Sequence, residues 1–457
     1  MTRLPLSRAR LTIDGERVAP HELSALVTRT AAHLRAAGVG QGRPFALTGD
    51  HPLATVVSAL AAERLGAPLL FAGSRPPRRI AVAATVHATR TGQPLVTASA
   101  GRPVELPAEA GAVFWTSGSS GDPKAVVLSR PALRFQGSAT AARLAVTDED
   151  RLLLPLPLSH AYGFSVLRVW RHTGAHLYVE SAFRPARVLE LTARAGITSL
   201  DGVPAMYRVL LAAAARDASV ARALRGLRIR GCGGDVLGPA LNDEFLSVVG
   251  APLHDGYGLS EAGPNVALNA PGLLRPATVG RLLDGVRARI SPESREIQLL
   301  SPSQMLGYLD AEGCPDTGIS RAAFTEDGWL RTGDSGTLAD DGWLSVTGRL
   351  KEILVVNGET VAPAVVEDAV RTASGVLDAA VVGVRRGDRG DTICAFAESA
   401  QPDAAATRRR VAETCRNLLP PHMRPRTVRI MAELPRTGAG KPDRVRLRAL
   451  AAEGVAS

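Results

Sequence analysis

The sequence predicts an α/β protein: layered sheets of largely parallel strands, followed by a small separate domain. Two observations predict this fold. Helical segments alternate with short apolar runs in the first part of the chain, and the pattern changes to closely spaced short strands between residues 279 and 347. At 457 residues the chain is too long for one ordinary hydrophobic core. We therefore predict two domains, at residues 1–347 and 348–457.

The individual elements follow from periodicity and from Gly and Pro punctuation. The elements predicted for the first 200 residues are a helix at 22–40, a strand at 45–47, a helix at 52–65, a strand at 67–71, a strand from 151, a helix near 186–195 and a strand at 197–200. Residues 72–110 carry little pattern. Short strands separated by Gly, Asp and Pro at 279–347 predict a small antiparallel barrel or sheet.

Residues 113–129, VFWTSGSSGDPKAVVLS, are two apolar runs joined by a loop rich in glycine and hydroxyl groups. The runs predict two strands, and the glycines allow backbone N–H groups to form a nest around an anion. The spacing is not that of a Walker A loop, because the loop leads into a strand and not a helix. An exposed Ser/Gly hairpin is the alternative. The candidate binding residues are Thr116, Ser117, Gly118, Ser119, Ser120, Gly121 and Lys124.

Lysine is rare in this chain. It occupies only three of the 54 basic positions, Lys124, Lys351 and Lys441, and each lies beside a glycine-bearing loop. A chain so biased towards arginine keeps lysine where a compact, flexible ammonium cannot be replaced by a planar guanidinium. Chance placement is the alternative, and we favour a functional reason.

Composition narrows the function classes. The net charge of +10 permits nucleic acid, anionic substrates or an acidic protein partner. Aromatic residues make up only 4% of the chain, which argues against a stacking platform, and we expect no nucleic-acid partner. The first residues lack a signal-peptide core and no apolar run is long enough to cross a membrane. The four cysteines form no C-x-x-C pair, which fits reduced thiols and a cytoplasmic location.

Four further glycine-bearing turns carry polar side chains. They are residues 231–235 (GCGGD), 254–261 (HDGYGLSE), 329–334 (WLRTGD) and 435–441 (PRTGAGK). The first is not a dinucleotide fingerprint, and each turn taken alone is more often a plain loop than a site. Residues 348–352 (GRLKE) open the predicted small domain.

These stretches, taken together and in this order, resemble the adenylate-forming superfamily of acyl-CoA synthetases, peptide-synthetase adenylation domains and beetle luciferases. The resemblance covers nearly the whole chain. It implies that a carboxylate attacks the α-phosphate of ATP to give an acyl-adenylate and pyrophosphate, and that a thiol then displaces AMP. It also implies Mg²⁺ as a cofactor and CoA or a carrier-protein phosphopantetheine as co-substrate. The resemblance further implies a mobile C-terminal domain that rotates between the half-reactions.

The resemblance implies a role for each matching residue. The 116–124 loop would hold the phosphates, and Ser260 would reach a phosphate. Gly233, Gly234 and Asp235 would lie along the adenine, and Tyr257 would stack on it within the turn that holds Asp255, Gly256 and Gly258. Asp334 would bind the ribose, with Arg349 close by. Glu261 is the implied Mg²⁺ ligand. The candidate catalytic residues are Lys441, which would bridge the carboxylate and the α-phosphate, Lys351 at the hinge, and His160.

Some positions depart from the family pattern. Ala125 stands where the family usually has Gly, and Ser260 replaces the commoner Thr. Asp235 stands where a small residue or Glu is usual, which weakens its assignment to the adenine. The segment at 72–110 is shorter than in typical relatives.

The predicted class of substrate depends on the absence of acidic residues from one segment. Residues 156–179 contain no Asp or Glu, whereas an α-amino acid would need a carboxylate partner for its buried ammonium. His160, Phe164, Val203 and Gly256 are instead expected to line an apolar pocket for an aryl or fatty acid. CoA is the favoured acceptor, with a carrier-protein thiol or an amine as alternatives. A non-catalytic nucleotide-binding protein is the alternative from another class, but it would need neither Lys441 nor Glu261.

Overall fold

The structure is a computed structural model that describes residues 5–73, 80–116, 123–310, 312–356, 359–385, 391–400, 403–436 and 442–453. The helices are α1 Pro20–Ala36, α2 Pro52–Leu65, α3 Arg130–Leu144, α4 Ala161–Thr173, α5 Pro185–Arg194, α6 Pro204–Ala214, α7 Ala218–Gly226, α8 Pro239–Val249, α9 Thr317–Ala322, α10 Pro363–Arg371, α11 Ala404–Leu418 and α12 Arg444–Glu453. Many begin with proline, whose fixed φ suits the first helical turn. No helix among the described residues has the length and apolarity to cross a membrane.

The strands fall into two large and two small sheets. The strands are β1 Arg10–Ile13, β2 Glu16–Val18, β3 Phe45–Thr48, β4 Leu69–Gly73, β5 Ala84–Ala88, β6 Pro94–Ala98, β7 Ala110–Thr116, β8 Lys124–Ser129, β9 Arg151–Leu154, β10 His176–Val179, β11 Ser199–Gly202, β12 Ile229–Cys232, β13 His254–Gly258, β14 Asn265–Leu268, β15 Gly280–Leu282, β16 Arg287–Ile290, β17 Glu296–Leu300, β18 Gly307–Leu309, β19 Pro315–Asp316, β20 Leu330–Leu338, β21 Trp343–Arg349, β22 Leu354–Val356, β23 Glu359–Val361, β24 Asp378–Arg385, β25 Asp391–Glu398 and β26 Thr427–Met431.

The larger sheet has the strand order β16-β17-β20-β21-β15-β14-β13-β12-β11-β9-β10-β1-β2. Strands β9 to β13 are parallel, whereas β14 and the strands beyond it are antiparallel. The antiparallel strands predicted for residues 279–347 are therefore present. Hydrogen bonds join them to the parallel strands in one sheet, and β16 lies at its outer edge. Of the two predicted forms, an antiparallel barrel or a sheet, these strands therefore have the sheet form.

The second large sheet has the order β19-β18-β8-β7-β4-β3-β5-β6. Strands β7 and β8 pair antiparallel, with Thr116 opposite Lys124, so both ends of the predicted anion loop are fixed by the sheet. The segment at 72–110, which showed little pattern, contains the antiparallel pair β5 and β6. The sequence did not reveal it because β6 is mostly exposed and shows no clean apolar alternation.

The C-terminal part has its own hydrophobic cores. Helices α10 and α11 pack on the sheet β24-β25-β26 around buried residues such as Val366, Val381 and Val411. Helix α12 covers the other face of that sheet through Leu447 and Ala451. The fold is therefore an α/β assembly with a large N-terminal part and a small α+β C-terminal part, as the sequence predicts.

Candidate active site

The carboxyl ends of the central parallel strands meet along one edge of the larger sheet. Register pairs Asp201 of β11 with Gly231 of β12, and Cys232 of β12 with Asp255 of β13. The chain runs β9, β10, β11, but the order in the sheet is β10-β9-β11, so the connections diverge between β9 and β11. In open α/β sheets, ligands bind in the crevice outside the strands at such a switch point. The predicted turn at 231–235 begins at the end of β12 and the one at 254–261 includes β13, so both lie at this crevice.

The end of the crevice nearer the antiparallel strands holds a charged cluster. Tyr257 donates its hydroxyl hydrogen bond to Asp334 Oδ2 at 2.7 Å, and Arg349 Nε lies 3.0 Å from Asp334 Oδ1. Asp334 is only 3% exposed. Burial lowers the pKa of Arg349, but the charge of Asp334 and other acidic neighbours outweighs it and raises that pKa. Burial, reinforced by Asp334, raises the pKa of the Tyr257 phenol. The three predicted residues thus form one hydrogen-bonded unit.

A second cluster lies at the base of the predicted phosphate loop. Lys124 Nζ lies 4.9 Å from the centre of the Tyr308 ring, and the Tyr308 hydroxyl donates to Glu261 Oε1 at 3.0 Å. Strand β18 pairs with β8, which brings Tyr308 beside the lysine strand. Burial raises the pKa of the Tyr308 phenol. Tyr308 was missed by sequence reasoning, because only the strand pairing places it between two predicted site residues.

The glycine-bearing turns after β12 and β13 form the wall of the crevice. Gly234 has φ +80°, which favours glycine, and a side chain at Gly258 would overlap the Pro264 carbonyl. Asp235 is exposed and accepts a hydrogen bond from the Val236 N–H at 2.9 Å. The remaining predicted residues of these turns are Asp255, Gly256 and Ser260, the last at the start of a 3₁₀ turn.

Asp255 shows how burial changes a carboxyl group in this wall. Burial raises its pKa well above the ordinary value, although the Gly256 N–H donates to its Oδ1 at 2.9 Å and so favours the charged form.

The other end of the crevice contains a second tyrosine–aspartate pair. Tyr162, near the start of α4, donates to Asp201 Oδ1 at 3.1 Å. A β-carbon at Gly233 would lie 3.5 Å from Tyr162 Cε1, and one at Gly234 would lie 3.5 Å from Val203 Cγ1. Val203 thus lies beside Gly234, and its assignment to an acyl pocket stays a prediction. We call Tyr162, Asp201 and Val203 the acyl recess, which borders Gly233 and Gly234.

Phe164 does not belong to the acyl recess, which corrects the sequence prediction. It is buried against Phe71 and Phe114, with ring centres 5.4 Å from each. Residues 162 and 164 are two positions apart on α4, and about 100° per residue places them on nearly opposite faces of the helix. Tyr162 therefore faces the recess, while Phe164 packs into the core. His160 is the N-cap residue of α4 and is half-buried.

The absence of acidic residues from 156–179 does not leave the recess without a carboxylate. Asp201 comes from β11, is 9% exposed, and reaches Tyr162 across the switch point. Burial raises the pKa of Asp201 to about 6, although hydrogen bonds from Tyr162 and Ser199 lower it. The signal was available in the sequence: an aspartate within the buried strand Ser199–Gly202 is costly unless it has a purpose.

The remaining predicted residues are Lys351 and a group that lies outside the described residues. Lys351 is exposed in a 3₁₀ turn directly after β21. Ser117, Gly118, Ser119, Ser120, Gly121 and Lys441 lie outside the described residues.

The flanks of residues 437–441 are anchored by arginines. Arg436 pairs with Asp378 at 3.1 Å and Glu398 at 2.9 Å, and Arg444 pairs with Glu352 at 3.3 Å. Arg208 of α6 lies 3.9 Å from Asp378, so the same carboxylate also faces the large N-terminal part.

Comparisons with known proteins identify the family of this chain. The family model of the AMP-binding enzymes matches residues 83–309, and that of the AMP-binding enzyme C-terminal domain matches residues 365–441. A propanoyl:CoA ligase of Mycobacterium tuberculosis, named for a substituted octahydroindenyl substrate, is 31% identical over 85% of this chain and 80% of its own length.

Other relatives carry different substrate names. A sulfoacetate–CoA ligase of Cupriavidus necator is 33% identical over 73% of this chain and 66% of its own length. A 3-hydroxybenzoate–CoA ligase of Aromatoleum is 28% identical over 95% of this chain and 91% of its own. Among solved structures, an amide bond synthetase from Marinactinospora thermotolerans superimposes with a TM-score of 0.75 at 26% identity, covering 97% of both chains. The chain therefore belongs to the adenylate-forming family of AMP-binding enzymes.

Proposed function

We propose that this AMP-forming acid–thiol ligase activates an aryl carboxylic acid in the crevice outside β9, β11, β12 and β13 and transfers the acyl group to CoA. The observation that carries the proposal is that Gly233 lies between the two ends: a β-carbon there would be 3.5 Å from Tyr162 Cε1 and 3.5 Å from the carbonyl oxygen of Gly256, the neighbour of Tyr257. The first step joins an acid to a nucleotide, so it needs both ends within one site. Such a step depends on positioning and charge neutralisation more than on covalent help from the protein.

Each cluster of residues at the nucleotide end has a proposed role in binding ATP. Asp334 accepts hydrogen bonds from the ribose hydroxyls while Arg349 keeps the carboxylate paired. Gly233, Gly234 and Asp235 lie along the adenine, with Tyr257 stacked on it and Asp255 near its amino group. Residues 116–124 hold the β- and γ-phosphates and Ser260 reaches a phosphate.

A magnesium ion fits Glu261. Tyr308 donates to one carboxylate oxygen, Oε1, which leaves the second oxygen available. Among the described residues no group of three or more His, Cys, Asp and Glu side chains is placed to hold a metal. One protein carboxylate completed by phosphate oxygens and water suits Mg²⁺, which keeps most of its ligands outside the protein. Bound there, the ion would neutralise phosphate charge.

The C-terminal part supplies the catalytic lysine. We assign residues 1–347 to the large domain and 348–457 to the mobile small domain, with Lys351 at the hinge. Lys441 bridges the substrate carboxylate and the α-phosphate. The ion pairs of Arg436 and Arg444 hold the two ends of its loop. His160, the N-cap residue of α4, is assigned to the acid and to catalysis.

The acyl recess favours an aryl acid over a fatty acid. A fatty chain would bury methylene groups against the Tyr162–Asp201 pair without a hydrogen-bond partner. A shorter, flat acid with a polar edge avoids that cost. The aryl preference therefore rests on the polarity of the recess, which residues 156–179 alone did not reveal.

The test is ATP–pyrophosphate exchange with a panel of aryl, fatty and α-amino acids, in the absence of any thiol. We expect exchange with aryl acids and a loss of roughly 100-fold or more in Lys441→Ala, because a positioned charge is removed from the developing transition state. Arg448→Ala, on the exposed face of α12, is the matched control. Strong exchange with fatty or α-amino acids alone would contradict the aryl assignment.

The acceptor is tested in the second half-reaction. CoA, a phosphopantetheinylated carrier protein and an amine are added in turn to enzyme that has formed the adenylate, and the acyl product is identified by mass. We expect the CoA thioester and stoichiometric AMP. An amide or an acylated carrier protein formed faster than acyl-CoA would contradict CoA as the acceptor.

A further inference from the structure

The hydroxyl of Tyr162 is committed as a donor. It gives its hydrogen bond to Asp201 Oδ1 at 3.1 Å, and the other carboxylate oxygen, Oδ2, accepts from Ser199 at 3.4 Å. Gly231 lies beside this carboxylate, and a β-carbon there would be only 2.7 Å from Oδ1. The space that accommodates Asp201 therefore exists because its strand neighbour is glycine.

Asp201 has no cationic partner among the residues that the structure describes, for no basic side chain there forms an ion pair with it. A buried carboxylate without a cation is costly, and a leucine or phenylalanine would fill a strand end at lower cost. A purely structural role does not repay this cost, because Tyr162 is only half-buried and could bond water instead. What Asp201 does provide is a fixed direction for the phenolic proton.

A phenol whose proton is fixed on a carboxylate presents only its oxygen lone pairs to other partners. Burial and the charge of Asp201 raise the pKa of Tyr162, so the phenol stays protonated at neutral pH. Tyr162 is half-buried, and it lies with Val203 beside Gly233 and Gly234 of the glycine wall. The group that complements it there is a hydrogen-bond donor.

From this geometry we infer that the acid substrate is an aryl carboxylic acid carrying a hydroxyl or amino donor on its ring, and that the Tyr162–Asp201 pair selects that donor. The inference rests on the proposed function and sharpens it. Tyr162 receives the hydrogen bond from the substrate, and Asp201 acts as a positioning residue through Tyr162. A methoxy group of similar size, which has no proton to donate, is rejected.

The test compares matched acids in the adenylation half-reaction of the full-length protein. Benzoate, its hydroxy and amino derivatives and the corresponding methoxybenzoates are assayed by ATP–pyrophosphate exchange, and kcat/KM is taken as a ratio of donor-bearing to methoxy acid. We expect a ratio of roughly 10 to 100, the value of one buried hydrogen bond plus the cost of leaving its acceptor unpaired. The hydroxy and amino arms show which donor is used.

Two variants separate selection from structural support. Tyr162→Phe removes the acceptor and is expected to bring the ratio to about 1. Asp201→Asn offers a side-chain amide that can donate to Tyr162, which frees the phenolic proton, so the preference should shift towards the methoxy acid. Tyr207→Phe is the matched control: its hydroxyl bonds the Leu200 carbonyl at 2.8 Å, so it should lose stability without changing the ratio.

The outcomes distinguish the two proposals. Exchange with none of the aryl acids would overturn the proposed function and this inference with it. Equal exchange with hydroxylated, methoxylated and unsubstituted acids would overturn this inference alone. A ratio that stays high in Tyr162→Phe would also overturn it, and because the ratio is measured within one protein, partial unfolding of a variant does not disguise the result.

Discussion

The two ends of the crevice use the same pair of side chains in different electrostatic settings. Tyr257 donates to Asp334 and Tyr162 donates to Asp201, at 2.7 Å and 3.1 Å. Asp334 also has Arg349 at 3.0 Å, whereas the partners of Asp201 among the described residues are two hydroxyl donors, Tyr162 and Ser199. The first carboxylate is held by a cation and the second is not.

This difference matches what each end is proposed to bind. A ribose offers two hydroxyl donors to a carboxylate, so a paired, permanently charged Asp334 is the suitable acceptor. The acid substrate meets Tyr162 before Asp201, so there the carboxylate acts through the phenol. An arginine beside Asp201 would compete with Tyr162 for its oxygens and release the phenolic proton. In the proposed selection, the absence of a cation beside Asp201 from the described part of the chain therefore keeps the phenolic proton of Tyr162 on that carboxylate.

The largest expected effect is on the nucleotide. Asp334→Ala removes the acceptor for both ribose hydroxyls and leaves Arg349 and Tyr257 without their partner. We expect the KM for ATP to rise roughly 100- to 1,000-fold, since hydrogen bonds to a charged group are worth about 1.5–3 kcal/mol each. The measurement is exchange rate against ATP concentration. Asp201→Asn should leave the KM for ATP near the wild-type value, and a rise of similar size there would erase the distinction between the two ends.

The next effect is on stability. The pKa of Asp201 is raised from 3.8 to about 6 in the folded protein, so the folded state binds the proton more tightly than the unfolded state. The contribution of Asp201 to stability is therefore fully present below about pH 4 and is lost as the pH rises through about 6. This shift in pKa corresponds to a change of about 3 kcal/mol in the free energy of unfolding. Asp201→Asn cannot ionise, so its stability relative to wild type should increase over that interval, measured by urea unfolding at a series of pH values.

The neighbours of Asp201 do not complicate this comparison. Tyr162, Tyr207 and Cys232 face it from α4, α6 and β12, and burial raises the pKa of all three, so they stay neutral in this range. Arg230, near Tyr207, stays charged, and Asp255 titrates in both proteins and cancels in the difference.

Asp150 is the opposite control. Burial raises its pKa, but hydrogen bonds from Thr147, Thr198 and Arg228 outweigh it and lower the pKa overall. Asp150→Asn should therefore lose stability relative to wild type as pH rises. If the stabilities of the two variants relative to wild type changed with pH in the same direction, the electrostatic difference between Asp201 and Asp150 would be contradicted.

The residues assigned to the nucleotide end could be proposed from the sequence because they lie in contiguous turns. Asp255 and Tyr257 lie in one glycine-bearing turn, and Asp334 follows a recognisable run, so order along the chain was enough. Helix α2 was predicted with its observed bounds because proline begins it and Gly66, at φ +65°, ends it.

The acyl end could not be predicted in the same way because strand order creates it. Asp201 and Tyr162 are 39 positions apart and meet only because β11 pairs with β9. The assignment of Phe164 to the pocket treated residues 151–164 as a strand breaking into a turn, whereas α4 begins at Ala161 and turns Phe164 into the core. Tyr308 depended likewise on the pairing of β18 with β8. Non-local pairing is information that short motifs lack.

The smallest expected effect comes from removing each tyrosine hydroxyl alone, and it tests the comparison most directly. Tyr257→Phe deletes one hydrogen bond to Asp334, which Arg349 still neutralises, so the KM for ATP should rise only about 3- to 10-fold. Its preference among aryl acids should stay at the wild-type value. Tyr162→Phe should do the reverse, changing the acid preference with the KM for ATP unaltered. Both quantities come from the same exchange assay, in which ATP and acid are varied in turn. If either tyrosine changed both quantities, the two carboxylates would belong to one coupled network, and the Arg349 cation would not account for their different roles.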